Sequence, residues 1–525
     1  MRALPRSLLS ATFSAVLAAG LSACSVGPDF LRPKAADTAG YTAEKLAAAT
    51  ASADVPGGTA QRFVDGKDIP GQWWTLFHSA ALNALIEEAL KANPDLAAAQ
   101  AALRQAKENV YAGQGGLFPT VSGTNSATRE KLSAAATGLP AGFGAPSVLG
   151  LTTASVSVSY APDVFGGVRR QVESAESQAE YERFQLEATY LTLTANVVNA
   201  AVTLASLRDQ IAATEDTIKI DTEQVALVRQ QYELGATSES DLLTQESNLT
   251  QEEATLPPLQ KQLAQARNQL MTYLGRSPKQ YNGESFELGS LTLPGELPVS
   301  LPSQLVEQRP DVRAAEAQLH EASANIGVAI ANQLPQFSIT GEVGSTSAGF
   351  ANLFSPGTGL WNLGGSIAQT IFDGGTLEHR KRAAEAAYDQ AAAQYRGTVL
   401  SAFQDVANAL RALQADADAL KAEALAEQTA RRSLDLAREQ FRLGAINNLT
   451  LLNAEQAYQS AVINRVKAQA TRYSDTAALF QALGGGWWNR ADVAPDTQGS
   501  PDRFTLPPFQ EIKFPLTRNG SASNG

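Results

Sequence analysis

The sequence predicts a mixed α and β chain made of two similar strand-and-helix halves, and three observations carry that expectation. The stretch RQQYELGATSESDLLTQES, Arg229 to Ser247, returns as REQFRLGAINNLTLLNAEQ, Arg438 to Gln456, with glycines, leucines and a glutamate in step. Each copy follows a helix-compatible run far longer than a globule can use, the first with neither glycine nor proline between Gly167 and Gly235. Two pairs of alternating segments, one ahead of each run, read as strands. Self-similarity at so large a period implies internal duplication.

In chain order, Arg2 and Arg6 precede an apolar stretch from Leu8 to Leu21, too short to cross a bilayer as a helix and of the length of a secretory signal. It ends in LSAC, which resembles the bacterial lipoprotein box and implies cleavage before a lipid-bearing Cys24. Ser25, where aspartate would retain such a protein at the inner membrane, implies the outer membrane. Cys24 is the only cysteine, so no disulfide can form within the chain. The formal net charge is −12, and residues 1–23 carry two arginines and no acid. An acidic chain without a basic cluster argues against nucleic acid. The expected divisions are a signal peptide (1–23), a lipidated tether (24–71), a first repeat (72–275), a linker (276–306), a second repeat (307–486) and a C-terminal tail (487–525).

From Ala80, apolar residues Leu82, Leu85, Ile86, Ala89 and Leu90 share one face of a helix that should be interrupted near Pro94. Arg309, Pro310 and Asp311 restart the same pattern in the second half. Strand segments follow. Ala154, Val156, Val158 and Tyr160 alternate with serines, and Phe337, Ile339 and Val343 alternate with Gln336, Ser338, Thr340 and Glu342. Two further segments, from Leu117 and from Leu360, complete the pairs, and the Gly/Ser/Pro-rich stretches within each pair read as surface loops. Four strands of about ten residues, apolar on one side, have the length of transmembrane barrel strands but cannot close a barrel. Open edges are not tolerated in lipid, so several chains would have to share one.

The run from Gly167 to Gly235 would make about 100 Å of helix. Its counterpart, Gly375 to Gly444, contains only Gly397. Such helices must pack on one another. Gly235 and Gly444 are placed to stop them, and Ser238 with Asp241, and Asn447 with Thr450, to cap the returning helices. Pro257 and Pro258 should break the first return, where the second has Val466 and Lys467, so the halves are expected to differ there.

These words in this order, LSAC with VGPDFLRP, WWTLF, NPDLAAA with RPDVRAAE, DVFGG with TIFDGG, the two glycine corners and ALGGGWW, resemble the TolC-like family of outer-membrane efflux channels, in its lipoprotein branch. The resemblance implies a homotrimer: four strands per chain in one outer-membrane β-barrel, continued by a long periplasmic α-helical barrel. It further implies that the corners meet a periplasmic adaptor (membrane fusion protein) serving an inner-membrane pump. The implied docking residues are Gly235, Ala236, Ser238 and Leu242 with Gly444, Ala445, Asn447 and Leu451. The family's closed end maps to Asp241, Thr450 and Asn453, of which only Asp241 is acidic, and Phe441 stands where a tyrosine is frequent. Related readings are a type I secretion exit duct and a periplasmic coiled-coil adaptor or scaffold lipoprotein; the latter predicts one hairpin rather than two.

His78, His320 and His379 form no HExxH pair, and neither a GxSxG elbow nor a GxxxxGK loop is present. No enzyme activity, metal or cofactor is expected.

Overall fold

The computed structural model describes residues 25–34, 40–131, 148–281, 283 and 286–491. The signal segment, Cys24, most of the first loop and the tail beyond residue 491 lie outside the described residues. In order, the elements are β1 (Arg62–Asp65), a 3-10 turn (Trp73–Phe77), α1 (Ala80–Ala92), α2 (Pro94–Gly115), β2 (Thr120–Glu130), β3 (Leu149–Tyr160), α3 (Gly167–Glu233) and α4 (Glu239–Tyr273). There follow β4 (Glu296–Val299), α5 (Pro302–Gln308), α6 (Pro310–Ala331), β5 (Gln336–Ser347), β6 (Gly359–Ala368), α7 (Thr376–Arg442) and α8 (Asn448–Ala482). The duplication holds element by element: α2 and α6 have 22 residues each, α3 and α7 67, α4 and α8 35.

The break at Pro94 has a double purpose. Asn93 ends α1, and its side-chain oxygen accepts from the N–H groups of Asp95 (2.9 Å) and Leu96 (3.1 Å), capping α2. Its Nδ2 donates to the carbonyl of Tyr273 (3.0 Å), the last residue of α4. In the second half Arg309 stands at the same place, and its Nη1 donates to the carbonyl of Ala482 (3.1 Å), the last residue of α8. Both halves thus use the residue before Pro-Asp to satisfy an orphan carbonyl at the end of the return helix.

The expected break at Pro257 and Pro258 does not occur: α4 runs through both and matches α8 in length. Each proline removes one amide donor and crowds the preceding turn. Glu253 and Ala254, whose carbonyls lose those donors, are exposed, as are the prolines, while Leu256 and Leu259 are half-buried. The neighbouring helices hold α4 by its apolar side, and water can serve the freed carbonyls on the other.

The stretch expected as a tether and the one expected as a linker meet in a small parallel sheet, Arg62 opposite Glu296 through Asp65 opposite Val299. Arg62 and Lys67 both pair with Glu296 at 2.8 Å. Beneath it lies the main core. Trp73 stacks on Phe480 (5.4 Å between centroids), Phe77 packs against Tyr473, and the Tyr473 hydroxyl donates to the Leu291 carbonyl (2.9 Å). The middle of α3 contributes Leu193, Val197, Val198, Val202 and Leu204. Part of α3 is apolar and long enough to cross a membrane, yet 67% of that window is buried within the protein, so packing accounts for its composition.

The four long strands form one antiparallel sheet in the order β2-β3-β5-β6, and the β3–β5 pairing joins the two halves. Register sorts the faces. Val121, Val158, Gly341 and Leu363 lie in one row, and Gly123, Val156, Val343 and Trp361 in the next. On the opposite face stand Ser122, Ser157, Glu342 and Asn362. Hydroxyl pairs Ser122–Ser157 (2.8 Å), Thr153–Thr346 (3.0 Å) and Ser338–Ser366 (2.7 Å) cross that face, and Asn362 donates to Glu342 (2.8 Å). The apolar face is bare: Trp361 is 79% and Leu363 75% exposed. Both edges, β2 and β6, are unpaired among the described residues.

Candidate functional site

The far ends of the long helices close in the same way. Past α3, Gly235 takes φ +71°, its N–H donates to Tyr232 (2.9 Å), and the Ala236 N–H donates to Gln231 (2.8 Å). Past α7, Gly444 takes φ +72°, with Gly444 donating to Phe441 (2.9 Å) and Ala445 to Gln440 (2.8 Å). This is the left-handed glycine stop that satisfies two otherwise free carbonyls. A Cβ at either glycine would meet nothing within 4 Å, so backbone conformation and not crowding requires glycine.

The returning helices are capped as expected. Ser238 Oγ accepts from the Asp241 N–H (3.2 Å), and the Asp241 carboxylate accepts from the Ser238 N–H (3.3 Å), Ser238 Oγ (2.6 Å) and Thr237 Oγ1 (3.1 Å). The Ser238 hydroxyl, then that of Thr237, holds the Asp241 carboxyl below its ordinary range, so it is ionised. In the second corner the Asn447 side-chain oxygen accepts from the Thr450 N–H (3.0 Å) and hydroxyl (2.8 Å). Asp241, Thr450 and Asn453 are all exposed.

Of the residues expected to dock a partner, Gly235, Ala236, Ser238, Gly444, Ala445 and Asn447 are exposed. Leu242 and Leu451 are not: both are buried, and Leu451 packs with Leu434 and Ala437 of α7, against Phe441 and Ile446. They hold the corners together. The exposed apolar groups are instead Leu234 and Leu443, immediately before the glycines, with Leu243 and Leu449 just after the turns. The sequence signal was present: a leucine at the last position before a left-handed glycine lies outside the helical stripe.

A polar network that sequence reading missed joins the two hairpins. Asn448 donates to Gln245 (3.0 Å), Gln245 to Gln224 (3.1 Å), and Gln224 to Glu455. Gln459 donates to Glu252 (2.6 Å). Glu455 also faces Arg438 at 3.5 Å, whereas the matching pair in the first hairpin, Arg229 and Glu246, closes to 2.6 Å in solvent. Asp221 lies beside this network, 2% exposed, and it makes no hydrogen bond or ion pair among the described residues. Burial, and then the charges of Glu455 and Glu252, push its carboxyl up to about 6. Burial raises Glu455 as well. Asp221 falls on the apolar stripe between Ile218 and Val225, which is the irregularity that could have identified it. Among the described residues no cluster of three or more histidine, cysteine or acidic side chains could hold a metal.

The family model described as outer membrane efflux protein matches residues 85–276 and 301–485. The chain is 30% identical over 494 residues to the probable efflux pump outer membrane protein TtgC of Pseudomonas putida, covering 93% of this chain and 97% of that protein. Among solved structures it is similar to the outer-membrane channel OprN, with a TM-score of 0.77 and 29% identity over 88% of this chain and all of the other. It is also similar to the open state of the Neisseria gonorrhoeae MtrE outer membrane channel, with a TM-score of 0.75 and 27% identity over 90% of this chain and all of the other.

The buried acid makes stability depend on pH. Because the folded chain holds the Asp221 proton up to about pH 6, against an ordinary value of 3.8, stability falls as pH rises through that window. The loss at neutral pH is on the order of 2–3 kcal/mol per protomer. Asp221→Asn is therefore expected to unfold at a higher temperature than the parent at pH 7.5 and at the same temperature at pH 4; thermal denaturation at the two pH values checks it, and equal stability at pH 7.5 would refute it.

Proposed function

The chain belongs to the outer membrane efflux protein family and is an outer-membrane efflux channel, and from that premise we propose that three copies assemble into a passive conduit fed from the periplasm by an adaptor and an inner-membrane pump. One observation carries the assembly: a sheet with a bare apolar face and two edges unpaired among the described residues, continued by helices of about 100 Å. Lipid suits the face, but only another strand suits an edge. Three copies give about twelve strands, within the range of outer-membrane barrels. The hydroxyl-rich face then lines water, and the helices continue the passage.

In our reading the energy for export comes from the partner pump. The docking surface is the pair of corners: Gly235, Ala236, Ser238 and Leu234 with Gly444, Ala445, Asn447 and Leu443. Glycine turns let another backbone approach closely, and the exposed leucines supply apolar anchors. Asp241, Thr450 and Asn453, just inside the corners, form the periplasmic constriction, where a three-fold ring of Asp241 carboxylates disfavours anions.

We also assign Cys24 as the lipid anchor. The supporting observation is the position of its neighbours. The Val26 N–H donates to the Phe165 carbonyl (3.1 Å), and Ser25 packs against Gly166, at the junction where β3 gives way to α3. Phe30 stacks on His320 (4.3 Å), Arg170 reaches Asp29 (2.8 Å), and Arg32 binds Glu316 (2.6 Å), so the following residues are fastened beneath the sheet. A lipid at Cys24 would start at the edge of the proposed membrane layer.

Three measurements test these readings. Purified in mild detergent, the protein is expected to migrate as a heat-sensitive trimer and to conduct ions across a planar lipid film; a non-conducting monomer would sink the assembly. Gly235→Val and Gly444→Val place a β-branched residue at positive φ, at roughly 1–2 kcal/mol or more per site, and in combination are expected to abolish export while the trimer remains. Unchanged export by the double variant would remove the corners as the docking surface. Labelled palmitate is expected to enter the parent protein and not Cys24→Ala.

A further inference from the structure

Between the two hairpins lies a cavity of about 170 Å³, lined by α3, α7 and α8. Two of its wall residues are buried acids, Asp221 at 2% and Glu455 at 5% exposure, and Glu455 Oε2 is buried without any hydrogen-bond partner. A third acid, Asp216, lies at the rim. Arg438 is the one basic lining residue, and it stands 3.5 Å from the other carboxylate oxygen of Glu455, too far for a strong paired contact. The rest of the lining is Ala213, Ile220, Leu434, Val462 and the ring of Tyr458, with Thr217 and Gln459 as the polar members.

Arg438 and the Gln224 amide serve only one oxygen of Glu455, and no basic group among the described residues pairs with Asp221, so these two neighbouring buried carboxylates are costly unless a further positive group joins them. A bare metal ion is a poor fit, because no group of three histidine, cysteine or acidic side chains that could hold one is available among the described residues, and about half of the lining is hydrocarbon. Water alone would leave the apolar walls unused. The volume is that of one small ring with a short arm: an apolar cavity of about 150 Å³ in another protein takes benzene.

We propose that this cavity is a binding site for a small organic ammonium ion, its charged end between Asp221 and Glu455 and its hydrocarbon body against Leu434, Val462 and Tyr458. Asp221 belongs to the first hairpin, and Glu455, Leu434, Val462 and Tyr458 belong to the second. The ligand therefore bridges the hairpins and favours their docked arrangement, linking occupancy to the state of the corners. The site stands on one protomer's own residues and does not depend on the export reading.

The test uses the full-length protein in detergent, with benzylamine as the probe and benzyl alcohol as its neutral counterpart of similar shape. Calorimetry at pH 7.5 is expected to show saturable binding of benzylamine, one per protomer, and at least tenfold weaker binding of benzyl alcohol. The double variant Asp221→Asn with Glu455→Gln, shown to retain the parent's oligomeric migration, is expected to weaken benzylamine at least tenfold. Val462→Trp, which fills the cavity from its apolar wall and leaves both acids in place, is expected to do the same and serves if the double variant fails to fold. No saturable benzylamine binding, equal binding of the alcohol, or full affinity in the variants that fold would each overturn the assignment. Because none of these readouts involves conductance or export, failure here is distinguishable from failure of the channel reading.

Discussion

A four-stranded sheet with one apolar face and two open edges is stable neither in water nor alone in lipid, and the rest of the architecture answers to that constraint. The edges need strands, which only further copies of the same chain can supply in register. Copies arranged around an axis hold the strand ends on a circle, and the helices that continue from β3 and β6 must then stand side by side. At about 100 Å a helix cannot fold back into a globule. It can only bury one stripe against its neighbours, as α3 does against α2, α4, α6 and α8.

Duplication supplies the helices in pairs, but the copies have diverged where it matters. Arg229 and Glu246 in the first hairpin form an exposed ion pair, while of their equivalents Glu455 is buried in the seam between hairpins and Arg438 stays exposed, and Gln224 is the nearer partner of Glu455. The alternating glutamine contacts give the seam a fixed register without a large apolar area. Hydrogen bonds in such a chain are individually modest, so a seam of this kind is specific rather than strong.

Much of this was legible in the residues. The alternation around Val156 and Val343 fixed the faces of the strands, Gly235 and Gly444 marked the corners, and Asn93 before Pro94 marked a break. Each rests on a local rule: period two, left-handed φ, or capping. What stayed hidden was non-local or compensated. RFVD and ELPV have no periodicity of their own and become strands only because the chain brings β1 and β4 together. Pro257 and Pro258 obey the local rule against helical proline, but packing of Leu256 and Leu259 on one side and solvent on the other outweighs it. Leu242 and Leu451 were placed outward by analogy of position, whereas both turn inward, Leu451 closing its corner with Leu434, Ala437, Phe441 and Ile446.

The distribution of core side chains gives the last step. Around Trp73, Phe77, Tyr473 and Phe480 the chain buries large aromatic groups from the 73–77 turn and α8, and Arg472 ties the stretch from Thr50 to Thr59 to them by donating to the Gly57 carbonyl (2.9 Å), the Thr59 carbonyl (2.6 Å) and Thr50 Oγ1 (3.1 Å). Near the corners the second hairpin has only the small cluster around Leu434, Ala437 and Leu451, and beside it lie acids that burial disfavours. Local opening follows the least buried apolar area, so the hairpin ends separate at lower free energy than the girdle at mid-length. The corners are therefore the part expected to open before the girdle.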